Sequence, residues 1–366
     1  MQTDIDYRGL EYRWAGFDWY YRFTTCNYDS TADLVCEKWV ADRNHFSIPE
    51  RTALAFWFGA VGSPSSMIFT KKFGNFNKNS AKAILEFFEK NKSRISFASD
   101  ARYRKINFQP FIKSVCDSLS HTDTIYEYVL DKFTQRTSAV GNQHQANYNT
   151  LSECCRNDWQ QWGRMGHWCF AEALKHFTQF PIKPPTMEFG PTGKSHTSGW
   201  LLAIEKHRLK RDQILELDKP DLEIQAHSYI VRVRENFPSF YKEADYFTLE
   251  TACCNYKRQH RGTRYAGCYI DELYDDLQVL KKDWPEYSEL YEQYMKARWN
   301  VLPKPLLYEA NKDFNPSKPA YQISWHKAFM EFGRMPRVEA WANGKPQRWC
   351  DISDLGYEAN LEDMWS

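Results

Sequence analysis

Ser47-Ile-Pro49-Glu50-Arg51-Thr-Ala-Leu-Ala-Phe-Trp-Phe58 reads as a helix from its first residue. Serine stands at an N-cap position, proline falls in the first turn where its missing N–H costs nothing, and Glu50 is spaced to close a capping box. An apolar run comes next, and Gly59 with the Gly62-Ser-Pro-Ser turn ends it. The same 3.6-residue recurrence of apolar positions extends outward on both sides. It covers Asp33–Asp42, Ser80–Lys90, Phe108–Leu119, Asp123–Phe133, Gly166–Phe177, Gly199–Lys210, Tyr229–Asn236, Phe247–Gln259, Ile270–Lys281 and Glu286–Trp299. Sustained period-two alternation is scarce, so the fold class is mainly α, a multi-helix bundle.

Two Pro-rich stretches punctuate the pattern. Pro181-Ile-Lys-Pro-Pro185 reads as a connection that positions the glycine-rich segment after it and not as a domain boundary, because helical patterning resumes at once. The second runs from Leu302-Pro-Lys-Pro305 through Pro316 and Pro319. A helical domain over residues 1–300 is therefore expected, in one lobe or in two with a cleft between them. Residues 301–366 are then a Pro-rich connection and a small mixed extension, with a hairpin turn at Asn343-Gly344 between Trp341 and Trp349.

At 366 residues with 26% charged and 42% hydrophobic side chains, the chain has the composition of a soluble globular protein. Aromatic residues reach 16%, which leaves rings for lining a pocket. A formal charge of +1 argues against nonspecific coating of nucleic acid through bulk electrostatics. Basic residues nevertheless cluster at Arg102, Arg104 and Lys105, at His207–Arg211, and at Lys257–Arg261 with Arg264. Each cluster reads as a solvated face or as part of a basic stripe. The ten cysteines include no CxxC pair, no leader-like or membrane-length apolar run is present, and the expected location is a reducing cytoplasm. Histidines lack HxxxH or HExxH spacing, so no metal site is expected.

Two motifs carry chemistry. The first is Gly190-Pro-Thr-Gly193-Lys194-Ser195-His196-Thr-Ser-Gly199, read as a loop opening into Trp200-Leu-Leu-Ala-Ile204. Free N–H groups at a helix N-terminus, with a lysine and hydroxyls beside them, suit a phosphate. The phosphate-binding loop of nucleotide kinases would require a glycine where this chain has Glu188, and no apolar strand precedes it. A plain inter-helix turn is the alternative. The second motif is Thr248-Leu-Glu250-Thr-Ala-Cys-Cys254-Asn-Tyr-Lys257, followed by Arg264-Tyr265. Its carboxylate, thiol and lysine fall at i, i+4 and i+7, on one helical face. A solvated or salt-bridged glutamate and a small buried thiol are the plain readings of Glu250 and Cys254.

Together these motifs resemble the phage alpha-glutamyl/putrescinyl thymine pyrophosphorylases, also called amino acid:DNA transferases. The glycine loop with its hydrophobic helix is similar to that family's signature, as is Thr248-Leu-Glu250 with Cys253, Cys254, Lys257 and Arg264-Tyr265. Trp162–Leu174 resembles the helix before the loop, and Tyr21-Arg22-Phe23-Thr24 resembles the family's Tyr-Arg-Phe-Thr-Asn start, with Thr25 in place of the asparagine. The arginine that commonly follows the loop glycines is absent, with His196 or Lys194 as stand-ins.

The resemblance implies a helical ancestry shared with DNA glycosylases and chemistry on a DNA base. Pyrophosphate is displaced from 5-pyrophosphoryloxymethyl-uracil by an amino acid or polyamine, without a cofactor. Gly190, Gly193, Lys194, Ser195, Arg22, Arg264 and Tyr265 would then hold the phosphates, with Lys257 as a further cation. Glu250 is the expected general base and His196 its alternative. Tyr21, Phe23 and Trp200 are candidates for stacking on an extruded base. The rival readings are a glycosylase acting on a modified base and a noncatalytic DNA-binding protein. The implied partners are DNA and the amine, with no membrane.

Overall fold

A computed structural model describes residues 13–27, 29–98, 101–134, 142–190, 193–204, 219–238, 241, 243–260, 267–302, 307 and 309. The expected hairpin at Asn343-Gly344 and nearly all of 301–366 lie outside these. The described residues are overwhelmingly helical, as expected, and their β pairing amounts to one isolated bridge between Asn77 and Thr124. They fall into two compact units. One takes its residues from Met1–Ala32, Thr186–Asp275 and Arg298–Ser366, the other from Asp33–Pro185 and Asp276–Ala297. The division falls directly after Pro185, at the end of the first Pro-rich stretch.

The second unit is built around α3 (Ile48–Ala60), which begins with the expected capping box: Ser47 N donates to Glu50 Oε2 at 2.8 Å and Glu50 N donates to Ser47 Oγ at 3.4 Å. Before it runs α2 (Ala32–Arg43), and after it come α4 (Ser65–Phe73), α5 (Ala81–Asn91), the short α6 (Arg102–Ile106), α7 (Phe108–Ser118), α8 (Ile125–Thr134), α9 (Gln143–Asp158) and α10 (Arg164–Thr178). α10 lies along α3 so closely that a Cβ on Gly59 would stand 2.9 Å from the Gly166 carbonyl oxygen. Phe56, Phe111 and Trp162 stack nearly parallel in the core between these helices.

Charged groups are buried in this unit, each with partners. Arg104 of the first basic cluster is not on a solvated stripe. It donates from Nε to the Ala60 carbonyl at 2.8 Å at the C-terminal end of α3 and lies over the Trp162 ring. Free carbonyls at a helix end suit a guanidinium. Glu37 of α2 is fully buried and accepts hydrogen bonds from Ser66 and Tyr294; burial raises its carboxyl to about 7.

The first unit holds α1 (Arg13–Thr25), α11 (Lys194–Ala203), α12 (Lys219–Asn236) and α13 (Tyr246–His260), with parts of α14 (Cys268–Asp283) and α15 (Ser288–Val301). α13 packs on both α1 and α11. Phe17, Tyr21, Trp200, Tyr229 and Tyr256 form one aromatic core there, and the buried Asp18 accepts from the hydroxyls of Tyr229 and Tyr241 at 2.7 and 2.8 Å.

Four helices escaped the periodicity: the sequence of α1 is crowded with aromatic residues, α4 follows directly on a proline turn, α6 is only five residues long, and α9 is mostly polar. α12 starts at Lys219, well before the expected Tyr229.

Candidate functional site

The expected loop of ten residues is cut short, and Gly193 N donates to Gly190 O at 3.1 Å. α11 begins at Lys194 and not at Gly199, so Lys194, Ser195 and His196 form its first turn. Thr197 explains the early start. Its N–H makes the first helical bond to Gly193 O at 3.0 Å, and its hydroxyl donates to the same carbonyl at 2.7 Å while accepting from Gly190 N at 3.1 Å. One threonine thus closes the turn and nucleates the helix. The N–H groups of Lys194, Ser195 and His196 precede that first bond and carry no intrahelical acceptor. Gly190 holds φ +136°, a conformation that favours glycine.

Gly199 has a different task from a loop glycine. It lies inside α11, where a Cβ would collide with the backbone of Cys253. Its bareness lets α11 and α13 approach backbone to backbone. That contact brings the two sequence motifs together. α13 is started by a reciprocal exchange in which Thr248 N donates to Asp245 Oδ1 and Asp245 N to Thr248 Oγ1, both at 3.0 Å.

Across the close contact, His196 Nδ1 lies 3.0 Å from Glu250 Oε1, with the two side chains 1% and 4% exposed. Cys254 Sγ donates to the same Glu250 oxygen at 3.6 Å. One turn further, Lys257 Nζ donates to Ser195 Oγ at 3.0 Å and to Ser195 O at 3.1 Å, tying α13 to the first turn of α11. The three residues at i, i+4 and i+7 do share one face, and that face meets the start of α11.

His196 is used from one side only. A Cβ on Gly193 would run into Cε1 and Nε2 of its ring, so that edge lies against the glycine turn, and Nε2 is buried without a hydrogen-bond partner among the described residues. Buried polar atoms are normally satisfied, which makes a lone pair or N–H aimed at a helix N-terminus a pointer to a missing ligand. His196, Glu250 and Cys254 also bring one nitrogen, one oxygen and one sulfur within 4.8 Å of one another, a set able to hold a metal ion. Histidine spacing along the sequence gave no sign of this, because the ligand types come from two helices. The short contacts in the group are those of hydrogen bonds.

The segment before the turn is held by α12. Glu223 accepts from Met187 N at 2.8 Å and Phe189 N at 3.1 Å, and burial raises its carboxyl above the usual range. Lys219, one turn earlier, lies over Gly190: a Cβ there would stand 3.2 Å from its Cε and 3.4 Å from its Nζ. Neither residue belongs to a motif, and only the position of Lys219 and Glu223 at i and i+4 on one helix links them in sequence.

The remaining candidates are distributed differently. Tyr21 and Trp200 are core residues, fully enclosed by the aromatic cluster, and Tyr21 OH also meets Thr248 Oγ1 at 3.5 Å. Desolvation raises the Tyr21 hydroxyl well above its ordinary value. Neither ring has a free face for a base, because the aromatic surplus of this chain fills the interior between α1, α11, α12 and α13. The side chains of Arg22, Phe23 and Lys194, and the residues Arg264 and Tyr265, lie outside what the structure describes. The thiol in the buried position is Cys253, pushed up by desolvation, whereas Cys254 is partly exposed.

This helix pair and the turn before it fall inside the stretch, residues 34–265, that matches the profile of the amino acid:DNA transferases. The chain belongs to the amino acid:DNA transferase family. It is also similar to a protein named serinyltransferase from Salmonella phage ViI, 25% identical over an alignment of 256 positions that covers 62% of this chain. The match covers 57% of that relative, so the chain spans little more than half of its length. No solved structure matches. No helix among the described residues is long and apolar enough to cross a membrane.

Proposed function

We propose that this member of the family transfers an amine onto a DNA base bearing a diphosphate-activated methylene, giving a hypermodified thymine and releasing pyrophosphate. The carrying observation is the buried His196–Glu250 pair, with the unpartnered Nε2 aimed at the turn that opens α11. The family membership supports the reaction class, and the serinyltransferase name of the phage relative points to an amino acid as the amine.

In this reaction the amine nitrogen bonds to the exocyclic methylene carbon as the carbon–oxygen bond breaks, and the electron pair leaves with the diphosphate. The amine must shed a proton to become or remain neutral. Glu250 Oε1 accepts the Nδ1–H of His196, which fixes the tautomer whose Nε2 lone pair faces the turn, and steadies the imidazolium once the proton arrives. His196 is then the proton acceptor, and Glu250, the expected base, becomes its positioning partner. The departing diphosphate is stabilised by the free N–H groups of α11, by Ser195 Oγ and by Lys257 Nζ.

The test is mass analysis of nucleosides after incubation with DNA containing pyrophosphorylated hydroxymethyluracil and a mixture of amines. Amine adducts are expected. Abasic sites would favour a glycosylase, and an unchanged nucleoside profile would leave a DNA-binding protein.

A further inference from the structure

The charge around the glycine turn is divided between its two ends. At the Ser195 end the Lys257 ammonium, which donates to Ser195 Oγ and Ser195 O, and the first N–H groups of α11 come together, and the charge there is positive. At the Gly190 end the Lys219 ammonium lies beside the turn, and no described residue supplies it with a carboxylate partner. Two acids stand near this end. Glu223 shares the helical face of Lys219 and has electrostatic contact with both Glu188 and His196. A diphosphate, carrying several negative charges, would be repelled by Glu188 and Glu223. A molecule with one carboxylate and one ammonium matches both signs.

We infer that Lys219 and Glu223 of α12, across Gly190, form a subsite for the α-carboxylate and α-ammonium of a free amino acid. The inference rests on the proposed transfer only in taking the incoming amine as the ligand. Lys219 binds the carboxylate. Glu223, whose two oxygens already hold Met187 N and Phe189 N, faces the ammonium with its remaining lone pairs. The absence of a Cβ at Gly190 leaves the Lys219 stem room to lie over the turn, because any other residue would press on Cε at 3.2 Å. The subsite lies beside the turn that the His196 ring edge also touches, which suits an amine due to lose a proton to Nε2. It selects amino acids over polyamines, which carry no carboxylate.

The experiment measures binding to the full chain, without DNA, for each of the twenty amino acids, and then for the decarboxylated form of the tightest binder and for putrescine. At least one amino acid should bind, and its decarboxylated form about tenfold more weakly, the worth of one charged hydrogen bond. K219A should erase that discrimination and K219R keep part of it, while pyrophosphate affinity, measured in parallel, stays within about threefold of wild type. The inference is overturned if no amino acid binds, if the decarboxylated amine or putrescine binds as tightly, or if K219A discriminates like wild type. Loss of adducts in the nucleoside assay with Lys219-dependent amino-acid binding intact would sink the transfer reading alone; adducts with no role for Lys219 would sink this subsite alone.

Discussion

Glu250 Oε1 stands 3.0 Å from His196 Nδ1 and 3.6 Å from Cys254 Sγ, so one carboxylate oxygen orients two neighbours that belong to different helices. A carboxylate placed behind an imidazole in this way controls its tautomer and its charge, and removing it changes chemistry more than binding.

Glu250→Gln should lower the transfer rate by roughly two orders of magnitude or more, with DNA affinity near wild type. His196→Ala should cost a similar factor, and the double variant little beyond either single one, because the two act as a unit. Single-turnover rates on pyrophosphorylated DNA, with binding followed separately, decide this. Wild-type turnover in Glu250→Gln would remove the pair from the mechanism.

Lys257→Ala removes the ammonium that bridges α13 to Ser195. Pyrophosphate, tested as a product inhibitor, should then bind about tenfold more weakly, the scale of one charge-assisted hydrogen bond. The slope of inhibition against salt concentration should flatten as well.

Gly199→Ala places a methyl group into the backbone of Cys253, which has no flexible end to move aside. A loss of about 1–3 kcal/mol, as for overpacked cores, should appear as a lowered Tm. Activity should fall with it, because the same contact sets the distance between His196 and Glu250.

Glu37 gives a pH signature in the other unit. Its folded carboxyl titrates near 7 against an ordinary value of 4.5, raised by burial and opposed by the hydrogen bonds from Ser66 and Tyr294. Below 4.5 both states hold the proton and its stabilising effect is complete. Between 4.5 and 7 the unfolded chain releases the proton first, so stability falls as pH rises, by on the order of 3 kcal/mol, and levels off above the folded value. Melting curves across this window should show that decline in wild type and a flatter profile in Glu37→Gln. Parallel profiles in the two proteins would assign the pH dependence elsewhere.

Local signals carried the helices well where composition changes sharply. The Ser47–Glu50 box formed as written, because a cap is decided by residues three apart. The turn at Gly190–Gly193 was legible as a turn, but its length was not: Thr197 extends the helix back to Lys194 through bonds that a propensity reading does not weigh. Arg104 looked like surface charge and is a buried ligand of α3 carbonyls, since a lone arginine is written the same way for either role.

The sequence by itself determined that the chain is helical, that Glu250, Cys254 and Lys257 share a face, and that a glycine turn opens an apolar helix, because all of these depend on neighbours within two turns. Only the tertiary structure decided that this face meets that turn, that Glu250 stands behind His196, that Tyr21 and Trp200 are interior, and that Lys219 reaches Gly190. Those pairings join residues far apart in the chain. They rest on shape, above all on the missing side chain of Gly199, and a residue's fit against a distant backbone leaves no periodic trace in the sequence.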